Sequence, residues 1–293
     1  MAKSKALKGR IRSVQNTRKI TRTMELVATS KLKRAQDRVV AARPYAEALA
    51  GVIADLVTPE LAERFPLLRR PAPPAHGGPV RAAVLLVTSN RGLAGGFNAN
   101  LIKEARRRID ALEAEGYQVE LHSIGRKGAG FFRYLGRPLA SQAQDPIEHP
   151  SVAAAAALVE SLLADYAAGT LAGVDLVCAR FLSPMSTPPT TLRVLPVEAP
   201  ARKSGGAASY ILRPGADEIV GQLLPLYVRN QVYRGLVETS AAEHGARRTA
   251  MKNATDNAGE ILDVLRRTYN RQRQAQITQE IAEIVGGAAA LQG

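Results

Sequence analysis

Met251-Lys252-Asn253-Ala254-Thr255-Asp256-Asn257-Ala258-Gly259-Glu260-Ile261-Leu262-Asp263-Val264-Leu265 places apolar or small residues at Met251, Ala254, Ala258, Ile261 and Leu265. Alternating steps of three and four residues predict a coiled-coil seam. The pattern belongs to a longer stretch, Asp217 to Val285, whose end adds Ile277, Ile281, Ile284 and Val285 before Gly286-Gly287. The glycine pair predicts the helix stop, because glycine takes the left-handed cap conformation. At 1.5 Å per residue such a helix is about 100 Å long. That is more than one compact domain of this chain can cover.

Working outward, the other end of the chain shows the same rhythm. Leu7, Ile11, Val14, Arg18, Thr21, Glu25, Ala28, Leu32, Ala35, Val39 and Ala42 follow the three-four spacing within a helix expected over 3–57. The middle of that seam is small or polar, and Ile20, Met24 and Val27 form a neighbouring stripe. Pro44 is expected to kink or briefly interrupt the helix, since proline lacks the amide hydrogen and crowds the preceding turn. The first helix ends where the middle of the chain begins, and the last starts where it ends. Packed by their seams, the two run antiparallel as a shaft, with the longer C-terminal helix reaching about 20 Å past its partner.

Between them, residues 58–79 hold Pro59, Pro66, Pro71, Pro73, Pro74 and Pro79 with Gly77-Gly78, the composition of a linker. Val80 to Thr88 is an aliphatic run expected of a strand buried on both faces. Tyr117–Ile124, Val174–Phe181 and Thr191–Val197 read as further strands, separated by helices to about Glu115, over Lys127–Leu135 and over Ser151–Ala168. Alternation of this kind predicts a small, Rossmann-like, mostly parallel α/β domain. Ala199 to Ser209 reads as a mobile loop. The domain bounds expected are 1–57 for the first coiled-coil helix, 58–79 for the linker, 80–216 for the α/β domain and 217–293 for the second helix and its tip.

The chain of 293 residues carries a net charge of +14. The charge is uneven: residues 1–43 hold 13 Lys and Arg against Glu25 and Asp37, whereas residues 217–285 hold 9 basic and 9 acidic groups. A basic excess confined to one helix points to an acidic partner, nucleic acid or a membrane surface, and its sign alone does not choose among them. Arg18, Lys19, Arg22, Lys31, Lys33, Arg34 and Arg38 suit phosphates, but the first aromatic neighbour is Tyr45, so a base-stacking platform is missing. No apolar run approaches the roughly 20 residues that span a bilayer. The single cysteine, Cys178, sits in an apolar run and reads as a plain buried thiol, which excludes an internal disulfide.

Enzyme chemistry finds little support. Gly92, Gly95 and Gly96 follow a strand, but their pattern is Gly-x-x-Gly-Gly, without the dinucleotide spacing or a following Gly-Lys-Ser/Thr. A structural turn is the favoured reading over a nucleotide site. His76, His122, His149 and His244 show no metal-ligand spacing, and the carboxylates form no acid/base pair. Three readings stay open on these residues: a force-transmitting structural subunit, a basic nucleic-acid-binding protein, and an α/β nucleotide-binding enzyme.

Three stretches carry a resemblance that runs essentially end to end. They are Ser13-Val14-Gln15-Asn16-Thr17-Arg18-Lys19-Ile20-Thr21 with Met24-Glu25, Ser30-Lys31 and Gln36-Asp37-Arg38; Ser89-Asn90-Arg91-Gly92-Leu93-Ala94-Gly95-Gly96-Phe97-Asn98; and Met251 to Asn257 with Ile277-Thr278-x-Glu280-x-x-Glu283 and Gly287-Ala288. The sequence resembles the gamma subunits of bacterial F-type ATP synthases. The resemblance implies a rotor: an antiparallel coiled coil inside a ring of alpha and beta subunits, with the α/β domain below, bound to the epsilon subunit and the membrane c-ring. It implies coupling of c-ring rotation to conformational change at catalytic sites in other subunits, with no catalytic residue, cofactor, metal or nucleic acid of its own. It also implies a peripheral location at the cytoplasmic face of the bacterial plasma membrane and, because it begins within the first residues, no transit peptide. By motif match, Lys31, Lys33 and Arg34, with Met24 close by, are expected at an acidic lever of the catalytic subunits. Arg273, Gln274, Thr278 and Glu280 are expected at an upper contact, and Arg247 at a coupling position. The proline-rich stretch and the loop near Ala199 match the family poorly, and the plant-type regulatory cysteine pair is absent.

Overall fold

In the computed structural model, residues 2–69, 80–198 and 215–292 are described. The chain forms two compact units: Thr29–Arg247, and Met1–Ala28 with Arg248–Gly293. Two helices run through both, α1 (Ala2–Leu56) and α7 (Ala216–Gln292).

In Thr29–Arg247, a five-stranded sheet has the order β3-β2-β1-β4-β5, with β1 Arg81–Val87, β2 Gln118–Ile124, β3 Ser141–Ala143, β4 Leu171–Ala179 and β5 Pro189–Leu195. β1 pairs parallel with β2 and β4, and β2 pairs parallel with β3, whereas β5 returns antiparallel along β4. The aliphatic run of β1 is explained by its position: Ala82 to Val87 are all buried, with alternate residues serving opposite faces. One face takes Leu85 and Leu176 against α6 (Val152–Ala167) and against Ile53 of α1 and Val232 of α7. The other takes Val84 and Leu86 against Leu101 and Ile109 of α3 (Phe97–Ala114), Phe132 of α4 (Arg126–Tyr134), and Val39 and Val237.

The short elements α2 (Pro59–Arg64), capped by Thr58, and α5 (Asp145–Glu148) complete this unit. The strand β3 and the helices α2 and α5 escaped sequence reading because they are too short to show a period. Residues 70–79 of the expected linker and the loop expected at Ala199–Ser209 lie outside the described residues.

Two glycines allow α7 to lie directly on its neighbours. A β-carbon at Gly235 would stand 2.5 Å from Cδ2 of Leu176, and one at Gly245 would stand 3.1 Å from the carbonyl oxygen of Pro184. Side chains of α7 then finish the sheet: the amide of Ala179 donates to Thr239 Oγ1 at 3.0 Å and that of Phe181 to Glu238 Oε2 at 3.2 Å. Backbone donors at and just past the end of β4 are satisfied in this way.

In the other unit, Thr255 of α7 donates to Thr21 of α1 at 2.8 Å, and a β-carbon at Gly259 would stand 3.8 Å from the Arg18 guanidinium. Stepping back along α1 thus means stepping forward along α7, so the pair is antiparallel. Buried here are Thr21, Glu25, Ala28, Met251, Thr255, Ala258 and Leu262.

Three expectations need correction. The inner seam of α7 runs through Met251, Thr255, Ala258 and Leu262, while Ala254 is half-buried and Ile261 is 51% exposed. Hydroxyl pairing with Thr21 sets this phase, which apolarity alone does not reveal. Pro44 does not interrupt α1. Residues 40 and 44 are both exposed, so the carbonyl released by proline faces water, and buried Ala46 and Leu49 hold the next turns in place. Gly286-Gly287 does not stop α7, which continues to Gln292. Alanines follow the pair, and their helix propensity carries the helix past a local cost of about 1 kcal/mol per glycine.

Candidate functional site

The loop between β1 and α3 and the middle of α7 build one polar cluster within Thr29–Arg247. The loop is a closed hydrogen-bonded turn: the Ser89 amide donates to Asn98 Oδ1 at 3.0 Å, and the Ser89 hydroxyl donates to the Arg91 carbonyl at 2.6 Å. Asn90 ties it to α4 and α5, accepting from the Arg126 amide at 3.1 Å and donating to Glu148 at 3.0 Å. Leu93 turns the chain with a φ of 62°, a left-handed conformation that is costly for leucine, and its side chain is exposed. The glycine motif is therefore a turn whose polar groups are used within the protein.

Arg247 holds this turn against α7. Its guanidinium donates to the carbonyls of Arg91 at 3.4 Å and Gly92 at 3.3 Å, and pairs with Glu243 at 2.7 Å. Both side chains of that pair are about nine-tenths buried. Burial pushes the Glu243 carboxyl above the usual carboxylate range, opposed by Arg247. His244, one turn before Arg247, is pushed down to about 4, first by burial and then by the charges of Arg247, Lys31 and Arg34. It is neutral at pH 7. The spacing of Glu243 and Arg247, four residues apart on a helix, was a readable signal for the pair. The role of His244 had none.

The structure brings Lys31, Arg34 and Arg247 into one electrostatic neighbourhood around His244. Lys31, Lys33 and Arg34 are exposed on α1, and Lys33 pairs with Asp37 at 2.9 Å. Arg247 is instead buried and engaged. Met24 lies half-buried on α1 in the other unit. Arg273, Gln274, Thr278 and Glu280 lie exposed on the same unit's part of α7, with Thr278 bonded only to the Gln274 carbonyl of its own helix among the described residues. Beyond them Ile277, Ile281, Ile284 and Val285 are 47–72% exposed.

Cys178 is buried, its thiol pushed up to about 12 by burial. Among the described residues no group of three or more His, Cys, Asp or Glu comes together as a metal site, and no helix is long and apolar enough to cross a membrane. The cluster around Arg247 can fix a loop to a helix. It offers no nucleophile paired with a base.

Comparison with known proteins gives the frame for this geometry. The family model for ATP synthase matches residues 3–291. The ATP synthase gamma chain of Gemmatimonas aurantiaca is 62% identical over the full length of both chains. That of Moorella thermoacetica is 43% identical over 99% of this chain and all of its own. Among solved structures, a chain of the Euglena gracilis mitochondrial ATP synthase, from an assembly of F1 and c-ring, shares the fold at a TM-score of 0.68 and 16% identity, covering 99% of this chain and 95% of its own. A chain of the Tetrahymena thermophila central stalk and c-ring matches at 0.58 and 22% identity, covering 80% of this chain and 99% of its own. With a match of this length and identity to curated gamma chains, the chain belongs to the ATP synthase family, as a gamma subunit of the bacterial F-type enzyme.

Proposed function

We propose that the chain is the central-stalk rotor of a proton-translocating ATP synthase, non-catalytic itself, which carries rotation from a membrane c-ring to catalytic sites in an alpha/beta ring. The observation that carries this reading is the pairing of end-to-end identity to gamma chains with a helix pair that lacks a core of its own. In that pair, among the described residues, only Met251 and Leu262 of the large apolar side chains are buried, and the exposed surface is mostly polar or charged. A shaft turning inside a sleeve needs such a surface, since deep interlocking would trap it in one orientation.

On this reading Lys31, Lys33 and Arg34 offer exposed charge to an acidic lever of the alpha and beta subunits, near Met24. Arg273, Gln274, Thr278 and Glu280 meet an upper bearing. Arg247 acts indirectly, by holding the turn at Arg91 and Gly92. The α/β unit binds epsilon and the c-ring, which places the chain at the cytoplasmic face of the plasma membrane without insertion. The test is reconstitution with alpha and beta subunits. A 3:3:1 complex with ATPase activity is expected, and a chain that never enters such a complex overturns the reading.

A further inference from the structure

The outer surface of α3 and α4 carries a groove of about 1030 Å³ beside the turn that Arg247 holds, sharing Asn98 and Lys127 with its border. Its floor is apolar. Ile102 is recessed to 8% exposure, and the half-buried ring of Phe131 is set edge-to-face against buried Phe132, with centroids 5.4 Å apart. Its rim is basic, with Lys103 and, one turn on, Arg106 and Arg107 of α3, and with Lys127 of α4. Lys103, Arg106 and Lys127 are exposed and have no ion-pair partner among the described residues. Arg107 pairs with Glu104, whose carboxylate also accepts from Thr191, so one of the two local acids is already engaged. Asp110 is the other.

We propose that this groove docks an acidic, amphipathic segment of another protein, which inserts an apolar side chain over Phe131 and places carboxylates against Lys103, Arg106 and Lys127. Three observations select that occupant. The apolar floor is recessed behind the cations, so it receives a side chain and cannot insert into a bilayer. The chain's own stretches outside the described residues, 70–79 and 199–214, contain no acidic residue, and residues 202, 203 and 213 are basic. A second copy is disfavoured because the chain carries +14 overall. Cations around an apolar slot attract a segment of opposite charge and fix its register, while the apolar anchor supplies affinity.

The probe is a fluorescein-labelled helical peptide with leucines on one face and glutamates on the other, titrated against the full chain by anisotropy. Its placement is read by photocrosslinking from Ala99→Cys carrying benzophenone, which labels selectively because Cys178 is buried. Saturable binding that crosslinks at residue 99 and weakens at least about tenfold in Lys103→Glu/Arg106→Glu, or at about 0.5 M salt, is expected. A peptide with lysines in place of the glutamates is expected not to bind. Absence of binding, binding unchanged by the double substitution, or capture of phosphatidylglycerol vesicles but not of the peptide overturns the proposal. Both substituted residues are exposed, so the double variant retains the wild-type melting temperature and still enters the alpha/beta complex. Failure of the groove is thereby separated from failure of the rotor reading.

Discussion

Thr29–Arg247 buries both faces of a sheet under helices, with Leu85, Leu86, Leu176, Ile53 and Tyr166 all but inaccessible. Met1–Ala28 with Arg248–Gly293 buries one thin seam, with two hydroxyls and a carboxylate among its seven buried residues that are described. Burying a large apolar side chain is worth about 1.5–3 kcal/mol, and alanine or threonine far less. The first region is therefore stable through its own composition. The second is a helix pair with a thin seam, and the two regions differ chiefly in how many large apolar side chains each buries.

The comparison breaks most readily at the core. Leu176→Ala is expected to cost about 2–5 kcal/mol in urea unfolding, because a sheet covered on both faces cannot collapse around the cavity. Leu262→Ala in the seam is expected to cost under about 2 kcal/mol, since a two-helix contact can close up. Equal costs would abolish the distinction. Acid should act on the first region through His244. Its folded value of about 4 lies below the ordinary 6.5, so the stability it contributes is present above pH 6.5 and lost as pH falls toward 4. Partial exposure limits the loss to about 1–2 kcal/mol. The raised Glu243 carboxyl works in the opposite sense, since the folded state takes up its proton earlier. His244→Gln is expected to flatten the urea midpoint between pH 6.5 and 4.5, and an unchanged slope would remove His244 as the cause.

In the second region, Thr255→Val deletes one interhelix hydrogen bond at a cost of about 1 kcal/mol, while the paired change Thr21→Val/Thr255→Val comes out near neutral. Calorimetry of the single and double variants checks this. The smallest effect on stability, within about 0.5 kcal/mol, belongs to Arg273→Ala/Gln274→Ala on the exposed part of α7. Under the rotor reading the same pair weakens coupling of ATP hydrolysis to proton pumping in reconstituted vesicles. Unchanged pumping would sink their assignment to a bearing.

Legibility in the sequence followed the strength of the period. The three-four rhythm of α1 is realised at Thr21, Glu25, Ala28, Leu32, Ala35 and Val39, all buried, and the aliphatic run of β1 fell where expected. The phase of α7 was misread at Ala254 and Ile261 because its inward residue, Thr255, is polar and is selected by its partner across the pair. The antiparallel return of β5 was not visible, since strand direction leaves no mark on a short alternating run. At the site, the glycine-rich turn was legible as a turn. Its attachment to Arg247 joins residues 156 positions apart, and no local pattern encodes it.

Arg247 is the last residue of its unit, and Arg248 opens the next. A helix that carries torque fails first by spinning in its seat, since smooth apolar packing resists sliding better than it resists turning. On the rotor reading the guanidinium would work as a spline: it is held by two carbonyls of a fixed turn at 3.3–3.4 Å and is backed by Glu243. Its substitution would leave the helix seated but free to slip through a small angle before the load is taken up. Such backlash would appear as lost work per turn with the fold intact.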